Sequence, residues 1–337
     1  MVRIAIAESA AEFACADGDT LLRAGLRAGL GLSYECNSGA CGTCKVELIR
    51  GEVTNLRPDT TALNDRDRAK NRVLSCQSVP RGDCTISARV RDEWIPPVRP
   101  TRFTATLVAV RDLTHDIREF RLRAETTVAF LPGQYAMLAI EGVGAPRAYS
   151  MSNVPDATGE WHFQIKRVPR GRATTELFEN TTLGRCIALD GPFGRGYLQT
   201  GSPRDLLCIA GGSGVSPMLS IARGWAREAA LANTQLHFFY GGRGPADICG
   251  EPELLALAVD PQRVHFYPVI SLPEPSSQAA WKGERGFVHE LVQKTLGSRL
   301  PEFECYFAGP PPMTQATQRM LMQHKVPYGQ MHFDSFF

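Results

Sequence analysis

Four cysteines are spaced for a metal–sulfur centre: Cys36, Cys41 and Cys44 in the pattern Cys-x4-Cys-x2-Cys, with Cys76 about thirty residues on. A [2Fe–2S] cluster takes four thiolates at this plant-type spacing, three from one tight loop and one from a distant segment. The loop residues Gly39, Ala40 and Gly42 are small. They let the backbone fold closely around a cluster and aim N–H groups at its sulfurs, offsetting negative charge. Structural zinc is the plain alternative, but it prefers paired Cys-x2-4-Cys units, and only Cys41 and Cys44 form one. A disulfide framework suits a chain of 337 residues without a secretion signal still less.

Three further clusters of residues carry chemistry. In Arg147-Ala148-Tyr149-Ser150, the guanidinium suits a pyrophosphate, the tyrosine offers a flat face to an isoalloxazine, and the Ser150 hydroxyl is placed for its polar edge. Gly171-Arg172-Ala173-Thr174-Thr175 opens a helical stretch, where free N–H groups and hydroxyls welcome an anion. Gly211-Gly212-Ser213-Gly214-Val215-Ser216-Pro217 follows one strand-like run, and Gly309-Pro310-Pro311-Pro312-Met313 follows another. Glycines allow a dinucleotide pyrophosphate close to the backbone, and Ser216 and Pro217 suit the N-cap and first position of a helix. Each piece alone reads equally as a polar strand face or an ordinary turn. Their order along one chain points to a flavin followed by a nicotinamide. The pattern is Gly-x-Gly-x-x-Pro, and Tyr240 is followed by Gly241-Gly242-Arg243 rather than by an acidic residue, which disfavours a conventional Rossmann dehydrogenase.

The elements that position these groups fall into three parts. Residues 1–92 read as short strands around one helix: Val2–Ile6, Glu12–Cys15, a helix over Thr20–Gly29 with Thr20 as N-cap, Lys45–Ile49, and a strand Val73–Cys76 carrying the last ligand. Its charges roughly balance, unlike those of a strongly acidic ferredoxin. Residues 93–101 hold three closely spaced prolines and read as a semi-rigid linker. Residues 102–202 read as the strands of a small antiparallel barrel, and residues 203–337 as alternating strands and helices of a doubly wound parallel sheet. The fold class is thus multidomain α+β and α/β. A net charge of +2 gives no basic stripe for nucleic acid, and no run of about 18 apolar residues would span a bilayer. Of ten cysteines, Cys15, Cys84, Cys186, Cys208, Cys249 and Cys305 lie outside the cluster motif and read as structural thiols in a reducing cytoplasm.

Together with Pro132-Gly133-Gln134-Tyr135, these motifs make the whole chain resemble the ferredoxin–NADP reductase superfamily, in the subgroup with a plant-type ferredoxin at the N-terminus. More narrowly, Tyr34 to Lys45, Gly51 to Leu56 and the ending His332 to Phe337 resemble the reductase component of toluene/benzene-type soluble diiron monooxygenases. The resemblance implies a β-grasp-like ferredoxin domain and electron flow from NADH to FAD to [2Fe–2S], then to a Rieske-type ferredoxin or the diiron hydroxylase. It implies that Cys36 and Cys41 hold one iron and Cys44 and Cys76 the other. Arg147, Tyr149, Ser150, Gly171 and Thr174 or Thr175 would hold FAD, and Gly211, Gly212, Gly214, Pro217, Gly309 and Pro310 would receive NADH. Phe336 or Phe337 would stack on the flavin face, making Ser150 and Phe337 the residues at the reacting edge.

Two positions depart from the subgroup. Ala308 stands where many relatives have cysteine beside the nicotinamide, and Cys305, three residues away on a strand, faces the other side. Arg170 stands where relatives often have glycine. Arg243 could pair with a 2′-phosphate, which leaves NADPH open beside NADH. The nearest rival reading is the reductase of a Rieske aromatic-ring dioxygenase or a phenol hydroxylase. The rival from another class is an electron carrier with a defunct nicotinamide site. Nothing in the chain calls for more than a monomer.

Overall fold

The computed structural model describes residues 1–7, 9–257, 260–271 and 281–336. Its first sheet has the spatial order Glu12–Cys15, Val2–Ile6, Cys84–Ser87, Lys45–Arg50, Arg72–Leu74. The first strand runs antiparallel to the second and parallel to Cys84–Ser87, so both ends of the unit meet at mid-sheet in a β-grasp arrangement. Helix Leu21–Arg27 crosses this sheet. The Thr20 hydroxyl accepts the Arg23 N–H at 3.3 Å as N-cap, and Leu21, Leu22 and Leu26 are fully buried beneath it. Cys76 does not sit on a strand as expected. The strand ends at Leu74, and Ser75–Gln77 form a 3-10 turn. Ser75 anchors that turn, its N–H and hydroxyl both donating to the Cys44 carbonyl at 3.1 and 2.9 Å.

The second sheet has six strands in the order Arg147–Ser150, Tyr135–Ala139, Cys186–Phe193, Thr101–Asp112, Ile117–Ala124, Glu160–Lys166, all antiparallel. A bridge between Met151 and Phe163 joins its two edges and closes a barrel around Leu107, Phe120, Leu138, Trp161 and Phe163. The proline-rich segment before it is stapled down. Arg91 N–H donates to the Gly31 carbonyl at 3.0 Å, and the guanidiniums of Arg91 and Arg195 lie over the Trp94 ring.

The third sheet is wholly parallel, in the order Glu284–Arg285, Val264–Ile270, Leu236–Gly242, Leu206–Gly211, Glu304–Gly309, Met331–Ser335. Successive residues of Leu206–Gly211 feed cores on opposite faces, Leu206 and Cys208 on one, Leu207 and Ile209 on the other. After Leu206–Gly211 the chain builds outward in one direction and later returns to the other side, so the strand order reverses between Leu206–Gly211 and Glu304–Gly309. Ligands of open α/β sheets bind at such a point. Helix Val215–Arg227 takes Gly214 as its N-cap, two residues before Ser216, the residue suited to that place by type. Gly212–Gly214 form a 3-10 turn that runs directly into it, so Ser216 and Pro217 lie inside the first turn. Of the six other cysteines, Cys15, Cys84, Cys208 and Cys305 are buried and Cys249 partly so, but Cys186 is exposed, because it faces outward at the start of its barrel strand.

Candidate functional site

The loop Cys36–Cys44 is shaped by three residues in the left-handed region, Asn37, Gly39 and Gly42, at φ +50°, +83° and +78°. Side chains from elsewhere hold its carbonyls: Arg57 Nη1 donates to Ser38 O at 2.8 Å, Thr60 Oγ1 to Gly39 O at 2.6 Å, and Gln77 Nε2 to Asn37 O at 3.3 Å. The sulfurs fall into two pairs. Cys41 N–H donates to Cys36 Sγ at 3.4 Å, and Cys44 and Cys76 have their sulfurs 3.2 Å apart. No three of the four sulfurs come within 4.8 Å of one another, whereas one tetrahedral zinc with Zn–S of about 2.3 Å would gather all four within about 3.8 Å. The buried amide atoms Asn37 Nδ2 and Gln77 Oε1 have no protein partner. Two sulfur pairs and an unused donor beside them fit a two-iron, sulfide-bridged centre better than a zinc ion.

In the barrel, Arg147 reaches the Ala145 carbonyl with Nη1 at 2.7 Å. Its guanidinium is held below the usual range, first by burial and then by the nearby positive charge of Arg57. Arg172 adds to this repulsion, and Arg57, from the first sheet's unit, escaped the sequence reading. None of these three arginines has a carboxylate within ion-pair distance among the described residues, which fits a seat for a diphosphate. Thr174 is spent on the turn, its hydroxyl accepting the Val168 N–H at 3.1 Å, while the hydroxyl of Thr175, part-exposed one residue on, has no partner among the described residues. Gly171 is the N-cap of helix Arg172–Glu179. Arg170 adopts φ +60°, the left-handed conformation that costs an L-residue about 1 kcal/mol and that glycine adopts freely. Tyr149 is pushed up to about 12 by burial, and the Ser150 hydroxyl has no protein partner among the described residues.

At the switch point the two glycine turns touch. A Cβ on Gly214 would lie 2.0 Å from the Ala308 carbonyl oxygen, and one on Gly309 3.0 Å from that of Gly211. A Cβ on Gly211 would strike Met313 Sδ, while Gly212, at φ +55°, faces only the Lys166 side chain. Pro217 is buried in the first turn of its helix and Pro310 caps helix Pro311–Gln323. Ala308 and Cys305 belong to opposite cores, as the strand geometry requires. Phe336 N–H donates to Gly309 O at 2.9 Å and its ring packs on the nicotinamide-side core. Phe337 lies outside the described residues.

Beyond the end of the second strand, at Asp247, the structure does place an acidic residue beside the turn. Its Oδ2 accepts the N–H groups of Arg243 and Gly244 at 2.9 and 2.8 Å, while the buried Oδ1 has no hydrogen bond and lies 3.7 Å from Lys166 Nζ. Burial opposes ionisation, but the Gly244 N–H and Lys166 hold its pKa below the usual carboxylate range. Arg243 pairs with Asp116 at 3.3 Å rather than standing free for a phosphate. Asp247 lies five residues past the strand end, beyond the spacing at which a sequence pattern looks for it. Asp334, on the last strand, is also absent from the expected set. Desolvation, then the charges of Glu35 and Cys36, push its carboxyl up to about 7.

Two seams join the three seats. Tyr135 hydroxyl donates to Glu35 O at 2.7 Å, and Gly194 N–H donates to the Tyr34 hydroxyl at 3.1 Å. Ser216 hydroxyl donates to Ser150 O at 2.8 Å, Ser220 hydroxyl to Asn153 O at 2.6 Å, and Arg223 Nη1 to Ser152 O at 2.5 Å. Tyr135 and Ser150 are cross-strand partners. The cluster loop and the nicotinamide helix therefore grip the same pair of barrel residues.

Residues 4–81 match the 2Fe-2S iron-sulfur cluster binding domain, residues 104–197 the oxidoreductase FAD-binding domain and residues 208–319 the oxidoreductase NAD-binding domain. The chain is 41% identical to the ferredoxin--NAD(P)(+) reductase CarAd of Metapseudomonas resinovorans, with 98% of each chain covered. It is 35% identical to the ferredoxin--NAD(+) reductase component of the alkene monooxygenase system of Xanthobacter autotrophicus, covering 96% of this chain and 97% of that one. The solved ferredoxin reductase in carbazole 1,9a-dioxygenase superposes with a TM-score of 0.91 at 39% identity, covering 100% of this chain and 98% of the other. No helix among the described residues is long and apolar enough to cross a membrane. The chain belongs to the reductase components of oxygenase systems, oxidoreductases that carry electrons from NADH through FAD to a [2Fe–2S] centre within one polypeptide.

Proposed function

We propose that this chain, as a monomer, passes electrons singly from a centre on Cys36, Cys41, Cys44 and Cys76 to a Rieske-type ferredoxin of an aromatic or hydrocarbon oxygenase system. The observation that carries this reading is the shared grip on the Tyr135/Ser150 pair. It sets the cluster loop, the candidate flavin strand and the nicotinamide helix around one point, and electron transfer depends on such proximity. FAD, when bound, accepts a hydride and releases single electrons, which links the two-electron donor to the one-electron centre.

The residues divide that work. Arg147, with Arg57 and Arg172, holds the flavin diphosphate. Gly171, its N–H spent on the Val168 carbonyl, starts the helix beside it, Thr175 supplies a hydroxyl donor, and Thr174 shapes their turn. Tyr149 packs on the ring, and the Ser150 hydroxyl donates to its reacting edge. Gly211, Gly212, Gly214, Gly309 and Pro310 shape the dinucleotide cradle, Pro217 fixes the helix that ends at it, and Lys166 lies over it. Asp247 accepts from the adenosine ribose, which favours NADH. Phe336 anchors the end of the last strand to the Gly309 carbonyl.

Relatives named as ferredoxin reductases favour a ferredoxin as acceptor. A second reading, direct delivery to a hydroxylase, has the 32% identity to a phenol 2-monooxygenase reductase component of Pseudomonas in its favour. The test mixes the purified holoprotein with NADH without oxygen. Flavin and cluster absorbance should bleach within seconds, and persistence of both bands sinks the proposal. Adding a purified Rieske ferredoxin or a diiron hydroxylase to the reduced protein then separates the two acceptors, since only the true one reoxidises it in stoichiometric amounts.

A further inference from the structure

Arg23 is 4% exposed, on the helix that lies behind the cluster loop. A guanidinium buried this deeply is costly unless an opposite charge accompanies it. Among the described residues no carboxylate lies within ion-pair distance of it. The two nearby acids are taken by others: Asp19 pairs with Arg27, and with Arg102 at 2.6 Å, while Asp190 pairs with Arg27 at 2.5 Å and with Arg102 at 3.7 Å. Three guanidiniums thus face two carboxylates, and one positive charge stays unmatched in this corner.

Arg23 spends its hydrogen bonds on the loop instead. Nε donates to Asn37 Oδ1 at 3.2 Å and Nη2 to Asn37 O at 3.4 Å. Asn37 directly follows Cys36, is 1% exposed, and holds its left-handed backbone through these contacts. Gln77 Nε2 donates to the same Asn37 carbonyl at 3.3 Å and reaches Cys76 Sγ at 3.5 Å. The buried charge therefore stands one residue behind Cys36 and, through Asn37 and Gln77, is linked to Cys76. Burial pulls the Arg23 pKa down, while Asp190 and then Cys76 pull it back up.

A centre of two ferric ions, two sulfides and four thiolates carries two net negative charges, and three after accepting an electron. We infer that Arg23 is the built-in counter-charge of this centre, a positioning residue that fixes the loop through Asn37 and favours the reduced over the oxidised cluster. The inference rests on the cluster reading. The surplus charge stabilises the state with the additional electron more than the state without it, and so raises the reduction potential.

The test titrates the cluster potential of the holoprotein by electron paramagnetic resonance, after iron and acid-labile sulfide are counted. A wild-type protein without iron and sulfide sinks the cluster reading itself; one with them leaves the inference to the variants. R23Q should lower the reduced-to-oxidised ratio at fixed potential on the order of tenfold, equivalent to about 59 mV for a one-electron couple. R23K, which keeps the charge, should stay near wild type. D190N removes a neutralising carboxylate on the barrel, away from the loop, and should move the potential the opposite way, upward. If R23Q fails to assemble its cluster, D190N decides alone. A fully loaded R23Q at the wild-type potential, R23Q and D190N shifting in the same direction, or D190N causing no rise would each overturn the inference.

Discussion

The two seams of the barrel are built from different materials. On the cluster side, alternate residues of strand Tyr135–Ala139 divide between two cores: Ala136 and Leu138 face the barrel interior, while Tyr135 and Met137 join the core of the first sheet. Phe193 joins them, edge-on to Tyr34 with centroids 6.3 Å apart, and the Asp19/Arg27/Asp190/Arg102 network seals the rim. On the nicotinamide side the apolar share is smaller, with Leu198 of the barrel segment entering the core of the parallel sheet and Pro132 lying against Gly224 of the helix. A row of polar side chains at Ser216, Ser220 and Arg223, spaced to lie on one helix face, hydrogen-bonds to barrel carbonyls. At its mouth Lys166 and Arg243 meet Asp116. The difference follows from the chemistry. Electron transfer to the cluster wants a fixed separation, which packed aromatics give, whereas a dinucleotide must come and go, and a hydrogen-bonded seam with an ionic mouth can accommodate that.

The sharpest break in this comparison is C44S. Loss of a ligand should abolish one-electron reduction of a ferredoxin while NADH-driven reduction of a two-electron dye continues, since the second seam is untouched; loss of both activities would show that the seams are not separable. Next comes R27A, which removes the direct bridge between Asp19 and Asp190 across the cluster-side seam and leaves Arg102 as their one ion-pair partner among the described residues. Breaking such a buried pair should cost about 3 kcal/mol, read as a lower thermal midpoint of the cluster absorbance, and an unchanged midpoint would remove the rim from the account. S220A should cost about 2 kcal/mol by stranding the Gly133 N–H and the Asn153 carbonyl. Its stopped-flow signature should be slower flavin reduction with the cluster potential unmoved.

D247A tests the mouth. Discrimination between NADH and NADPH, measured as a ratio of kcat/KM, should fall roughly tenfold, about 1.4 kcal/mol. The mildest probe is pH. Burial, and then His265, pushes His237 in the nicotinamide sheet down to about 4 from 6.5. The unfolded chain therefore binds a proton that the folded chain refuses, so stability is full above pH 6.5 and declines as pH falls toward 4. Urea titrations followed by tryptophan fluorescence should show that decline, and H237F should flatten it.

Much of the fold was legible because it is local. Thr20 capping its helix, the period of Lys45–Arg50, and the alternation of strands and helices after residue 203 depend on neighbours in sequence. The N-cap of helix Val215–Arg227 falls on Gly214 rather than Ser216 because a 3-10 turn absorbs the glycines, which propensity alone does not foresee. Cys76 was placed on a strand because its apolar neighbours read as one, yet the Ser75 hydrogen bonds to Cys44 that end the strand come from 31 residues away.

The candidate sites divide in the same way. Spacing along the chain alone marked the four cysteines, the Arg147–Ser150 strand and the two glycine turns, since loop chemistry is written in consecutive residues. Only the tertiary structure brought Arg27 to Asp190, 163 positions apart, buried Arg23 without a carboxylate, folded Asp247 back onto its turn, and set Tyr135 opposite Ser150 between two domains. Burial and long-range charge balance are properties of the packed chain: a residue's cost or use depends on what surrounds it in space, and no window of sequence contains those neighbours.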